Sequence, residues 1–281
     1  MIFDTHAHYD DDAFETDRAE VLSGQWSKGV GRIIDCGADI KSSRRALQLA
    51  SEYDSIYAAV GIHPDNIAEL WQRCPLNDKD PDDEDGVKAL KSMAKNEKCV
   101  AIGEIGLDYH WDRYPRDRQK EGFIAQWRLA KELGLPVVIH SRDAAEDTFS
   151  VVSMMYDEYM REKKLFMADM HCYSYSAEQA AEYLKMGLYF GIGGVLTFKN
   201  ARKLTEVVKM LPVDRILLET DCPYLAPEPF RGSRNESSYL KGVVQKLAEL
   251  KEIDYTEVEH ITYNNALAFF GMGNHNTDDY A

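Results

Sequence analysis

Residues 99–104 read CVAIGE and residues 136–140 read PVVIH. Each is a short apolar, β-branched run that breaks off at one ionisable residue, Glu104 in the first and His140 in the second. A run of this length bounded by polar sequence reads as a buried strand. Residues 118–133, which lie between them, carry helical apolar periodicity, so the stretch is a strand–helix–strand unit. Ionisable side chains where a strand gives way to loop are what the C-terminal mouth of an α/β barrel presents.

Outward from this unit the alternation repeats. Residues 2–6, 32–36, 56–61, 165–171, 188–191 and 215–221 show the strand pattern. Helical periodicity marks 42–52, 177–186 and 200–210, and a long charged stretch, 144–164, follows the fifth strand. Eight strand–helix repeats predict the α/β class, with a parallel sheet closed into a (β/α)8 TIM barrel. An open doubly wound sheet is the alternative, and its usual GxGxxG first turn is absent. The chain has 281 residues, which suits one barrel. Residues 1–270 are therefore read as a single domain and 271–281 as a polar C-terminal tail. The acidic run LNDKDPDDED (76–85) reads as a surface insertion.

Composition narrows the function. A net charge of −15 argues against a broad basic face coating nucleic acid, while leaving room for a local basic pocket. The start of the chain has no basic segment followed by an apolar one, and no apolar run approaches the length of a membrane span, so neither a secretory signal nor a membrane partner is expected. Five cysteines without CxxC spacing fit a reducing, cytoplasmic setting better than a disulfide framework.

The chemistry gathers at the strand ends. In His6-Ala7-His8 the period of two turns both imidazoles the same way, into the barrel. Glu104, His140, His171 and Asp221 close the fourth, fifth, sixth and eighth runs. Four imidazoles and two carboxylates exceed one tetrahedral site, so two divalent ions are expected, with Glu104 as the bridge. His6, His8 and Asp221 are assigned to one ion, and His140 and His171 to the other. The ions would activate a shared water, and Asp221, seconded by Glu104, would move its proton. Ligand softness favours Zn²⁺ over Mg²⁺ or Mn²⁺. His63, in GIHPD, and the loop arginines Arg142, Arg231 and Arg234 are candidates for holding phosphate. The loop LDYHWDRYPRD (107–117) carries aromatics that could stack on a base or pack as a lid. Cys172 and Cys222, each next to a candidate ligand, face away by the same alternation.

FDTHAHYD, AVGIHPD, AIGEIGLDYH, LAKELGLPVVIHSRDA, MHCYSYS, FGIGGVLTFKNA, LLETDCPYLAPEPFRGSRNES and NNALAFFG follow one another across nearly the whole chain. Together they resemble the TatD-type metal-dependent deoxyribonucleases, within the amidohydrolase-like barrels. The resemblance implies a (β/α)8 barrel with His6, His8, Glu104, His140, His171 and Asp221 as metal ligands and His63 on the substrate side. It also implies 3′–5′ exonucleolytic hydrolysis of single-stranded DNA, usually assayed with Mg²⁺ or Mn²⁺. Many dinuclear amidohydrolases carry a carboxylated lysine after the fourth strand; Glu104 in that place favours the TatD-type branch. The chain departs from the pattern at Tyr175, where the family often has glycine, and in RGSRNESS, which lacks a proline after Asn-Glu. Both lie near the expected substrate rim and bear on substrate preference. The competing expectation is a metal-dependent deacylase or amidohydrolase, for example on D-aminoacyl-tRNA. The site chemistry points to hydrolysis, and only the resemblance points to nucleic acid.

Overall fold

The structure, a computed structural model, describes residues 1–71, 73–74 and 84–273. Eight parallel strands follow one another around one sheet in chain order. They are β1 (Ile2–Ala7), β2 (Val30–Cys36), β3 (Ile56–Val60), β4 (Cys99–Asp108), β5 (Val137–Arg142), β6 (Ala168–Met170), β7 (Tyr189–Ile192) and β8 (Ile216–Leu218). A parallel bridge between Ala7 and Cys222 joins the last strand region to the first, which makes the sheet a barrel. Helices α1 (Arg18–Gln25), α2 (Ile40–Glu52), α3 (Gly86–Met93), α4 (Arg116–Leu133), α5 (Ala145–Glu162), α6 (Ala177–Lys185), α7 (Arg202–Met210), α8 (Leu240–Lys251) and α9 (Tyr255–Phe269) accompany the strands. The expected (β/α)8 architecture is therefore the one observed. No described helix is long and apolar enough to cross a membrane.

Local sequence sets these elements. Asp39 opens α2 with a reciprocal cap: its carboxylate accepts from the Ser42 N–H at 2.6 Å, and Ser42 Oγ accepts from the Asp39 N–H at 2.8 Å. Gly134 closes α4 in the left-handed conformation, φ +71°, which costs glycine little. Trp127 and Phe123 on α4 are buried with β-strand residues such as Ile102, Ile139 and Val137 in the main apolar cluster. Burial of this kind, about 25 cal/mol per Å² of apolar surface, is what holds helices to barrel.

Strand limits differ from the sequence reading where the site lies. β4 does not end at Glu104 but runs on to Asp108, and β5 runs past His140 to Arg142. Between β4 and β5, Ile102 pairs with Val137 and Ile105 with Ile139, so β4 holds one extra residue there. Glu104 thus sits in a bulge within the strand, and a bulge re-aims a side chain. A Cβ on Gly106 would lie 1.8 Å from the His140 carbonyl oxygen, and its φ of +154° also suits glycine, so Gly106 permits the strand to continue. β6 and β8 are shorter than read, leaving His171 and Asp221 in the loops just beyond them. Of the acidic insertion, Glu84–Asp85 pairs with Arg73–Cys74, and residues 76–83 lie outside the described residues, as do 274–281 of the tail.

Candidate metal centre

The strand ends bring His6, His8, Glu104, His140, His171 and Asp221 into one mouth. His6 Nε2 lies 3.1 Å from His8 Nε2 and 3.4 Å from Glu104 Oε2. Asp221 Oδ1 lies 3.3 Å from His8 Nε2, 3.8 Å from His171 Nε2 and 3.9 Å from His6 Nε2. Glu104 Oε2 is also 3.7 Å from His140 Nδ1 and 3.8 Å from His171 Nε2. Ligands held about 2.1 Å from one ion stand about 3.0–3.5 Å from one another, and these spacings approach that range. Asp221 reaches the centre from a left-handed backbone conformation, φ +57°, with its N–H donating to the His6 carbonyl at 2.9 Å.

The hydrogen bonds fix which nitrogen each imidazole offers. His8 Nδ1 donates to the Cys36 carbonyl at 2.7 Å, which leaves the Nε2 lone pair facing the centre. His171 Nδ1 meets Glu219 Oε2 at 3.0 Å, so again Nε2 is free. His140 is turned the other way: Nε2 meets Asp108 Oδ2 at 3.0 Å, and Nδ1 faces Glu104. An imidazole whose far nitrogen donates to a carbonyl or carboxylate is a prepared metal ligand. The donor set therefore fits divalent cations: three oriented lone pairs, a fourth imidazole at His6 and two carboxylates.

The electrostatics agree. Burial pushes His8 down, but the hydrogen bond to Asp221 and the charges of Glu104 and Asp221 outweigh it and lift the ring to about 10. Burial is likewise outweighed at His171 by Glu219, giving about 10, and at His140 by Asp108 and Glu104, giving about 9. Glu104 is held well below the usual carboxylate range, its burial outweighed by His63, His140 and His6. A centre this negative draws positive charge, and protons and a divalent cation compete for the same lone pairs.

Three arrangements differ from the sequence reading. His171 stacks on His6, ring centres 3.5 Å apart, and groups with His6 and Asp221 rather than with His140. The group around His140 contains Glu104 and His63, whose Nε2 is 3.9 Å from Glu104 Oε1 and whose ring meets the His140 edge at 4.2 Å. His63 thus stands at the centre, and burial, with His140 beside it, lowers it to about 3. Arg234 is committed elsewhere. Its guanidinium donates twice to Asp17, at 2.8 and 2.6 Å, and to the Ala13 carbonyl at 2.7 Å, over the Phe14 ring. The expected phosphate role of Arg234 is therefore revised to a clamp on the start of α1, because few of its donors remain. Arg142, the last residue of β5, and Arg231, in a loop, are exposed, Arg142 beside Trp111 and Arg231 over Phe198.

Two functional candidates escaped the sequence. Asp108 lies two turns of the pleat past Glu104, and Glu219 two residues before Asp221; both carboxylates are buried behind a ligand. A Cβ on Gly191 would lie 2.1 Å from Glu219 Oε2, so that glycine makes room for the carboxylate. An acidic residue inside an apolar run, opposite a glycine-rich strand end, was the available signal. Cys172 lies close to Glu219 and His171, on the Nδ1 side of that ring, and Cys222 is buried with Tyr9 and Ala7.

A (β/α)8 barrel with such a centre at its mouth belongs to the class of metal-dependent hydrolases. The sequence matches the model of the TatD related DNase family over residues 3–271, and the chain belongs to that family. It is 46% identical over 270 residues to the uncharacterised metal-dependent hydrolase YabD of Bacillus subtilis, covering 96% of this chain and 99% of that one. It is 29% identical over 276 residues to the 3′-5′ ssDNA/RNA exonuclease TatD of Escherichia coli K12, covering 96% and 99%. The crystal structure of YjjV, a TatD homologue from Escherichia coli K12, superimposes with a TM-score of 0.82 at 29% identity, covering 96% and 98%.

Proposed function

We propose that the chain is a phosphodiesterase that removes nucleotides from the 3′ end of single-stranded DNA, using two divalent ions held by His6, His8, Glu104, His140, His171 and Asp221. The observation that carries this reading is the set of three imidazole lone pairs fixed by Cys36, Glu219 and Asp108 and aimed at two carboxylates. The name of the relative in Escherichia coli supports the substrate class. The bound ions would supply Lewis acidity and neutralise charge gathering on the phosphoryl oxygens. Glu104, which groups with His6 and His8 on one side and with His63 and His140 on the other, would bridge the two ions. Asp221, a fifth exposed, can take the proton of an attacking water and return it to the leaving 3′ oxygen. His63 stays neutral, its Nδ1 accepting the Asp65 N–H at 3.1 Å, so its Nε2–H can donate to a phosphate oxygen at the centre. Arg142 and Arg231 are the cations assigned to the strand. Cys36, Cys99, Cys172 and Cys222 are free, which supports a cytoplasmic setting.

The test is degradation of a 5′-labelled single-stranded oligonucleotide by metal-stripped protein resupplied with Mg²⁺, Mn²⁺ or Zn²⁺, with Asp221→Ala alongside. A metal-dependent ladder lost in the variant is expected. No cleavage by metal-loaded protein would refute the reading and favour the deacylase or amidohydrolase alternative.

A further inference from the structure

The loop that follows β4 carries three aromatic side chains, and the structure separates their roles. Tyr109 donates its hydroxyl to Asp147 at 2.7 Å and lies under the Arg116 guanidinium at 4.2 Å. Tyr114 packs against the main apolar cluster. Trp111 does neither: it is 57% exposed, and its ring meets the edge of His110 at 4.9 Å and the Arg142 guanidinium at 5.7 Å. An exposed indole, apolar over its face, is a side chain that binding surfaces favour; what singles out Trp111 from the other exposed tryptophans, Trp26 and Trp71, is its place.

Its placement ties it to the centre. Asp108 Oδ1 accepts the backbone N–H of His110 at 2.9 Å and of Trp111 at 3.3 Å, while Oδ2 holds His140 at 3.0 Å. One buried carboxylate thus fixes both a ligand that faces Glu104 and the backbone that carries the indole. His110 is pinned in turn by Asp143 at 3.0 Å, the residue after Arg142. Arg113, further along the loop, lines a cavity of about 290 Å³ with His8, His63, Glu104 and Tyr224, so this loop forms one rim of the mouth.

We propose that Trp111 is the stacking platform for the nucleobase at the end of the bound strand, with Arg142 beside it to take an adjoining phosphate. The inference rests on the nucleic-acid reading above and assigns a residue to its substrate. Every base has a π-face, so an indole accepts any of them, and only an unpaired base offers its face freely. A chain of net charge −15 repels polyanions at long range, which makes a neutral, short-range contact the fitting source of affinity.

The experiment compares wild type, Trp111→Ala and Trp111→Phe, metal-loaded, on two 5′-labelled oligonucleotides. One ends in an ordinary 3′ nucleotide and the other in an abasic tetrahydrofuran residue. In Trp111→Ala the KM for the ordinary end rises about 5- to 150-fold, the equivalent of about 1–3 kcal/mol of stacking, with kcat unchanged. The abasic end shows no further loss, and Trp111→Phe restores most of the affinity. A wild-type KM in Trp111→Ala, or an equal loss on both ends, overturns the proposal. Anisotropy of the same oligonucleotides in an Asp221→Ala background separates the two readings. Base-dependent binding through Trp111 without cleavage by the wild type would refute the phosphodiesterase and keep the platform. Absence of binding by the metal-loaded wild type as well, together with no cleavage, would refute both.

Discussion

Glu219 is buried to 0% exposure and touches no solvent, yet the ligand geometry of His171 depends on it. Its Oε2 takes the proton side of His171 Nδ1 at 3.0 Å, and its Oε1 accepts the Cys172 N–H at 2.6 Å. Glu219→Gln keeps the shape and removes one acceptor. If the amide oxygen stays on the Cys172 N–H, the NH₂ faces Nδ1, which must then accept. The ring's proton moves to Nε2, the nitrogen that faces Glu104 and Asp221, and metal binding must first undo that tautomer. If the amide is reversed, the NH₂ meets the Cys172 N–H and two donors are left facing each other in a buried site. A buried donor without an acceptor costs about 1–3 kcal/mol, which corresponds to about 5- to 150-fold in affinity. Either orientation therefore weakens the metal held by His171 by one to two orders of magnitude. Titration calorimetry of metal-stripped protein with Zn²⁺ or Mn²⁺, backed by bound-metal analysis, reads this directly. Wild-type affinity in Glu219→Gln would refute the claim that Glu219 sets the tautomer.

Glu104→Ala removes the carboxylate shared by the His6–His8 and the His63–His140 groups, so bound metal falls to one equivalent or none; two full equivalents would refute the bridge. Arg234→Ala is expected to lower Tm by about 2–4 °C, with metal content and the KM for an oligonucleotide unchanged; a raised KM would return Arg234 to the substrate side. Chelation should lower Tm by about 5–10 °C, since metal at a hundredfold its Kd stabilises by about 2.7 kcal/mol; scanning calorimetry with and without EDTA checks this.

Much of this was legible in the sequence because a barrel writes its pattern locally. A strand ends, a ligand follows, a helix begins, and each step lies within a few residues. The eight runs located the eight strands, and the six candidate ligands do converge. What lay hidden depends on pairing between segments far apart. The bulge at Glu104 exists only in register with β5. Asp108 and Glu219 read as an acid inside an apolar run until their partners, His140 and His171, are seen across the barrel. Arg234 looked free because Asp17, more than 200 residues earlier, is invisible to a local pattern.

The bridge between Ala7 and Cys222 has a temporal meaning. His6 and His8 lie at the end of the first strand, and Asp221 follows only after the eighth. A nascent chain stopped before β8 already owns five of the six candidate ligands and still lacks Asp221, the acid–base proposed above. Joining segments this distant in sequence is entropically costly, though the cost grows only slowly with length. Hydrogen bonds from Thr220 and Asp221 to the His6 carbonyl, and from Thr220 to Asp4, draw that final clasp shut. The proposed centre is therefore completed only when the last strand region meets the first.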